Sequence, residues 1–393
     1  GNDQVTTTAL TGNVGIGTNT PTEKLTVEGN ISGSGNVNIL GDVTASAFVG
    51  DGSALTNITA EWDGSHNGDA EITGSLEVTG AVTASALDVA GKIALNDGGN
   101  SIYVGTNAGL NDDASSNNNT GVGYEALYSN TTGHSNTANG YQALYSNTTG
   151  VRNTANGFEA FKFNTTGNYS TANGFQALYS NTTGNSNTAT GYQTLYSNTT
   201  GYNNTANGVS ALRTNTTGNS NTAIGVNTLY SNTTGNSNTA TGAGALINNT
   251  TGGTNTAIGT STLGENISGN GNIAVGHRAL LNNIGGYYNI AIGYQALQNL
   301  ATYRGNNVVV GNSAGQTDTT ASAVTAIHQS TLIGASAKPL ANDQTNQIVI
   351  GFNANGIGTN TVVLGNDSIT TTALKGNVGI GTTTPAEKLT VEG

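Results

Sequence analysis

Single apolar residues stand among polar ones along most of this chain, and through its middle they return at a fixed step of 17 residues. The repeating unit is close to NTANGYQALYSNTTGHS. With its first residue taken as slot 1, that slot falls at Asn119, Asn136 and Asn153 and is taken once by Ser170. It returns at Asn187, Asn204, Asn221, Asn238, Asn255, Asn272 and Asn289, then slips by one to Asn307. An unbroken short period predicts a parallel β-solenoid, in which each unit buries its apolar side only against its neighbours. The inner surface is expected from slot 3, usually Ala (Ala138, Ala155), slot 5, always Gly (Gly123 through Gly293), and slot 9. Slot 9 holds Leu127, Leu144, Leu178, Leu195, Leu212 and Leu229, with Phe161 once. Burying each such Leu is worth roughly 1.5–3 kcal/mol, so stability should accumulate coil by coil. The glycine of slot 15, from Gly133 to Gly286, is expected at a turn that needs a positive φ.

If one unit is one coil, equal slots stack about 4.8 Å apart, the spacing of paired strands. Slot 12 then predicts a ladder of amides through Asn130, Asn147, Asn164, Asn181, Asn198, Asn215, Asn232 and Asn249, each bonded to its copies above and below. A proline at Asn198 should break it locally. Slot 10 carries Tyr128, Tyr145, Tyr179, Tyr196 and Tyr230 beside the core Leu, interrupted by Lys162 and Arg213. With Leu inward these rings point outward, a stripe suited to contact with another chain or with sugars.

Outside the 17-residue units the texture changes. Short alternations such as Ser75-Leu76-Glu77-Val78 and Ala81-Val82-Thr83, broken by glycines, predict short strands with one buried face. Trp62 sits in a less regular stretch. Residues 317–364 keep the strand motif without the strict period: IVIG ends at Gly351 and VVLG at Gly365. Residues 1–29 return at 365–393 with differences only at positions 4, 5, 11, 19 and 22 of the segment. The expected organisation is therefore a junction module over 1–40 and an acidic short-strand module over 41–100. The solenoid follows over 101–316, a degenerate transition over 317–364, and the start of a second super-repeat over 365–393. The gene is expected to encode several 364-residue units in tandem. A chain without methionine is expected to be a mature or excised piece of a longer product.

Composition narrows the class. Of 393 residues 58 are Gly, only 8% are charged and 35% are hydrophobic, which argues against classical disorder. With 3 prolines and no glycine every third residue, collagen is excluded. No cysteine is present, so there is no disulfide, thiol nucleophile or Cys-ligated metal site. A net charge of −12 with no basic stripe makes nucleic acid a poor partner. No run of about 20 apolar residues is available to span a membrane.

The strand-and-glycine motifs NTAIG (255–259), NIAVG (272–276), NTVVLG (360–365) and GNVGIG (376–381) are similar to the repeats of YadA-like heads in trimeric autotransporter adhesins. GIGTNTPTEKLTVEGNI (15–31) and FVGDGSALTNI (48–58) resemble modules of bacterial and phage tail-fibre proteins. The resemblance implies an all-β chain, a left-handed parallel β-roll with short β-prism modules, assembled as a homotrimer outside the cell or on a phage virion. The 14-residue step from Gly351 to Gly365 fits that family's usual unit, whereas the 17-residue units depart from it by a longer turn.

No residue pattern points to catalysis. Glu125, Glu159 and Glu265 stand far apart along the repeats, where a depolymerase would need paired carboxylates. His66, His134, His277 and His328 show no ligand spacing, and Asp112-Asp113 is a weak carboxylate pair for calcium. No cofactor is expected. The Asn-Thr-Thr triplets also match the N-glycosylation pattern, which stays open beside the ladder. The expectation is a structural subunit of a long extracellular fibre whose partners are identical chains, joined as trimers and end to end. The alternative is a trimeric adhesin or tail fibre that binds a surface glycan through the tyrosine face.

Overall fold

The computed structural model describes residues 14–16, 20, 25–27, 100–113, 117–301 and 303–391, and among these there is no helix. The short strands expected near residues 75–83, the acidic module and Trp62 lie outside the described residues. Two units are distinguished, Gly1–Leu87 and Asp88–Gly393. In the first, β1 (Val14–Ile16) pairs in parallel with β2 (Leu25–Val27).

The second unit is a parallel β-solenoid. Thirteen strands of three residues run in order from β3 (Ile102–Val104) to β15 (Val308–Val310) and join one sixteen-stranded parallel sheet. From β4 (Thr120–Val122) to β14 (Ile290–Ile292) equal slots face each other, as in Ala138↔Ala155 and Ala155↔Ala172. The sheet does not stop near residue 316. Omitting β16 (Ile327–His328) and β18 (Gln344–Thr345), which pair with each other, it continues through β17 (Thr331–Ile333), β19 (Ile348–Ile350) and β20 (Val362–Leu364). The lost period of 317–364 thus comes from loops of changed length between strands that stay in register. One such loop is closed by Asp318, whose carboxylate accepts from the Thr320 and Ser322 amides at 2.8 and 3.0 Å. Beyond the solenoid, β21 (Val378–Ile380) pairs with β22 (Leu389–Val391) in the same register as β1 with β2, so the same strand pair forms in both copies of the segment.

Only slots 2–4 of each coil are strand, yet the coil is bonded to its neighbours almost throughout. The amides of Gln142, Leu144, Ser146 and Thr148 donate to carbonyls of Tyr124, Ala160, Lys162 and Thr165 at 2.8–3.1 Å. What permits this in a segment of successive turns is a backbone that repeatedly enters the left-handed region. Slots 7, 9 and 17 are left-handed without being glycine, as in Gln142 (φ 52°), Leu144 (φ 51°) and Arg152 (φ 56°). Such residues cost about 1–2 kcal/mol each relative to the right-handed form. In return, two successive residues, Ala143 and Leu144, both face inward and are fully buried. The core therefore has three apolar rows, at slots 3, 8 and 9, and slot 8 is a row that the period alone did not single out.

The glycines divide differently from expectation. At slot 15 the chain is not left-handed; glycine is required there by space, because a Cβ on Gly150 would lie 2.3 Å from Asn147 Oδ1 and 2.6 Å from the Gly167 carbonyl oxygen. The positive φ belongs to slot 5. Gly140 has φ 138°, and a Cβ there would also lie 2.3 Å from the Gly157 carbonyl oxygen. At the first described coil, Tyr103 takes slot 3 and Gly109 replaces the core Leu. The Tyr103 ring fills the space that a Cβ on Gly109 or Gly121 would occupy, and its hydroxyl donates to Asp112. Burial, with Asp112 beside it, holds the Tyr103 hydroxyl well above the ordinary phenol range. This coil thus departs from the consensus at two of its core slots.

Candidate functional site

Inside the solenoid the eight slot-12 asparagines, Asn130, Asn147, Asn164, Asn181, Asn198, Asn215, Asn232 and Asn249, are fully buried. From Asn147 onward each Nδ2 divides its two hydrogens. Asn147 donates one to Asn130 Oδ1 at 2.9 Å and the other to the Gly150 carbonyl in its own coil at 3.1 Å. The same geometry continues to Asn283, where Leu300 takes the slot and leaves Asn283 Oδ1 without a partner. A sugar on these asparagines would need the Nδ2 that the ladder uses, in a position closed to solvent. Folded coils are therefore not N-glycosylated at slot 12.

A second ladder runs beside it at slot 1, the residue that marks the period. Asn136 donates Nδ2 to the Gly150 carbonyl at 2.8 Å, while its Oδ1 accepts the amide of Asn153 from the next coil at 2.9 Å. The Gly150 carbonyl thus accepts from both ladders, and slots 1, 12 and 15 form one satisfied polar spine within the core. Ser170 continues the chain of amide bonds through its hydroxyl, but cannot supply the amide donor to the slot-15 carbonyl. The signal for this second ladder was present in the sequence: nearly invariant Asn beside an inward Ala.

The outer surface carries two ring rows. The slot-10 tyrosines Tyr128, Tyr145, Tyr179, Tyr196 and Tyr230 are half-buried, with Tyr128 stacked on Tyr145 at 5.0 Å and Tyr179 on Tyr196 at 4.9 Å. Arg213 bridges the row rather than interrupting it, and Lys162 joins it on the side of Tyr179. The Lys162 ammonium lies 5.8 Å from the Tyr179 ring, and the Arg213 guanidinium lies 5.3 and 5.7 Å from the rings of Tyr196 and Tyr230. A longer and more exposed row stands at slot 6. Tyr124, Tyr141, Phe158, Phe175 and Tyr192 stack in sequence with centroids 4.9–5.4 Å apart and planes within 10°. Sequence reasoning passed over it, although five successive coils hold an aromatic at that slot. A polar row at slot 7 contacts both neighbours: Gln142 Nε2 donates to Glu125 at 2.6 Å, Gln176 to Glu159 at 2.8 Å, and Lys162 Nζ lies 2.7 Å from Glu159. Burial pushes the Glu159 carboxyl up, but the hydrogen bonds from Lys162 and Gln176 outweigh it and hold the group below the usual carboxylate value.

Two consequences follow for chemistry. A ring stacked on both faces offers solvent only its edge, whereas a sugar packs against a ring face. Among the described residues no group of three or more His, Asp or Glu is gathered as metal ligands would be. His277 instead stacks on Tyr294 at 5.3 Å, and His66 lies outside the described residues. Among the described residues no helix is long and apolar enough to cross a membrane. No protein-family model matches the chain, and no curated protein matches it significantly.

Proposed function

We propose that this chain is a structural subunit of a long extracellular fibre, built from tandem 364-residue super-repeats and acting as a stiff spacer or surface appendage rather than as an enzyme. The observation that carries this reading is the double asparagine spine. Buried amides paired from coil to coil hold adjacent coils in one register over many units, which is what a rod requires. The shared register of β1–β2 and β21–β22 supports the tandem arrangement, since the same strand pair recurs 364 residues on. Identical chains are the proposed partners, as trimers and end to end. The alternative, a trimeric adhesin or tail fibre gripping a glycan with the tyrosine row, has less support because Tyr179 and Tyr196, in the middle of that row, have both ring faces covered by neighbours. Electron micrographs of the purified material test the assignment. Long unbranched filaments with an axial repeat set by one 364-residue unit are expected, and isolated short particles would contradict it.

A further inference from the structure

Two cations occupy slot 10, and their surroundings differ in one respect. Lys162 meets a carboxylate at slot 7 of its own coil, Glu159, at 2.7 Å. Three coils further on, Arg213 takes the equivalent position, and slot 7 of its coil is Ser210. Among the described residues no carboxylate lies within ion-pair distance of Arg213. The volume that Glu159 fills in the earlier coil is here part of an open groove of about 470 Å³, lined by Gln193, Ser210, Arg213, Asn227, Tyr230 and Ile247.

The guanidinium is held in place for a ligand. It lies between the rings of Tyr196 and Tyr230, its Nε donates to Gln193 Oε1 at 3.2 Å, and its Nη1 donates to the Tyr230 hydroxyl at 3.2 Å. Two of its five N–H donors are used, so a planar fork remains for a bidentate acceptor. We propose that this groove binds the carboxylate of an acidic saccharide, a uronic acid residue, with the carboxylate taking the place that Glu159 holds beside Lys162. The rest of the lining fits a sugar. Asn227 offers an amide to ring hydroxyls over a floor formed by the buried Ser210, and the aliphatic side chain of Ile247 offers apolar surface to the C–H face. The slot-6 row has ended by this point, with Val209 and Val226 in place of rings, so no stacked aromatic closes the groove.

The site is independent of filament formation: a rod can assemble with the groove empty, and the micrographs that test the fibre reading do not involve Arg213. Titration calorimetry of the full chain with oligogalacturonate tests the proposal directly, with uncharged galactose oligomers and a polyglutamate peptide as comparison ligands. Arg213→Gln removes the fork. Ser210→Glu supplies the missing carboxylate from within, and the slot accepts it, since Glu159 has φ 51° where Ser210 has φ 55°. The expected result is salt-sensitive binding of oligogalacturonate, weakened about tenfold or more by either variant and by removal of the ligand's charge. The melting temperature of Ser210→Glu is expected to be no lower than that of the parent chain. Binding that both variants leave intact, tighter binding of polyglutamate than of oligogalacturonate, or no binding of oligogalacturonate at millimolar concentration would each overturn it.

Discussion

The inner spine and the outer rows are built on the same 17-residue step, but they tolerate change to different degrees. Slot 12 is Asn in every coil from Asn130 to Asn283, because within the ladder, as at Asn147, each amide donates twice and accepts once in a closed space. Slot 10 passes from Tyr to Lys, Tyr, Arg, Tyr and Ile, and both cations lie over a neighbouring ring of the row. There the requirement is only a flat or long side chain that covers its neighbour, and solvent supplies any missing hydrogen bond. The contrast identifies where the fold is specified and where the surface is free to acquire a ligand.

The comparison can be broken most severely at the backbone contact beneath it. Gly140→Ala should cost about 3–5 kcal/mol, combining a φ of 138° that Ala avoids with a Cβ 2.3 Å from the Gly157 carbonyl oxygen. Denaturant unfolding, with hydrogen exchange to show that the loss spreads from the Gly140 coil, checks it. Next, Asn198→Leu keeps the branched shape of the side chain but removes the bonds to Asn181 Oδ1, Asn215 Nδ2 and the Gly201 carbonyl. Orphaned buried groups should cost about 2–4 kcal/mol, against less than about 0.5 kcal/mol for the outer replacement Phe158→Tyr. Equal costs at the two positions would remove the distinction between spine and row.

A pH titration sharpens the outer half. The folded Glu159 and Asp318 carboxyls lie below their ordinary values, Glu159 because the bonds from Lys162 and Gln176 outweigh burial, and Asp318 chiefly through its bond from the Thr320 hydroxyl. A carboxyl lowered on folding binds its proton more readily in the unfolded chain. The contribution is therefore complete above the ordinary carboxylate range and lost as pH falls through the folded values. Stability measured from pH 7 down to pH 3 should decline, and the combined Glu159→Gln and Asp318→Asn variant should decline less. A small effect of opposite sign is expected at slot 7. Ser261→Asn, at φ 54°, should stabilise by up to about 1 kcal/mol, because Asn adopts the left-handed region more readily than Ser.

The coil step and the position of the strands were legible because a solenoid writes its geometry into the sequence as a period. What happens between strands was not. Leu144 and Gln142 are ordinary in composition, and nothing in either residue signals a left-handed backbone; only the closed coil imposes it. For the same reason the glycine of slot 15 reads as a turn residue, when its lack of a Cβ is needed for the approach of Asn147 and Gly167. The slot-1 spine and the slot-6 ring row left clear recurrent signals, yet their roles depend on which way each side chain points after two reversals of φ. At the Arg213 groove the informative fact is a difference between coils, Ser210 against Glu159, and a consensus conceals such differences.

X-ray diffraction from aligned filaments tests the central claim most directly, that coils stack along the fibre and are held there by the asparagine spine. The account predicts a strong reflection near 4.8 Å on the meridian, parallel to the fibre axis, weakened when Asn198→Leu is introduced. A 4.8 Å reflection on the equator, or filaments that lack it, would contradict the account.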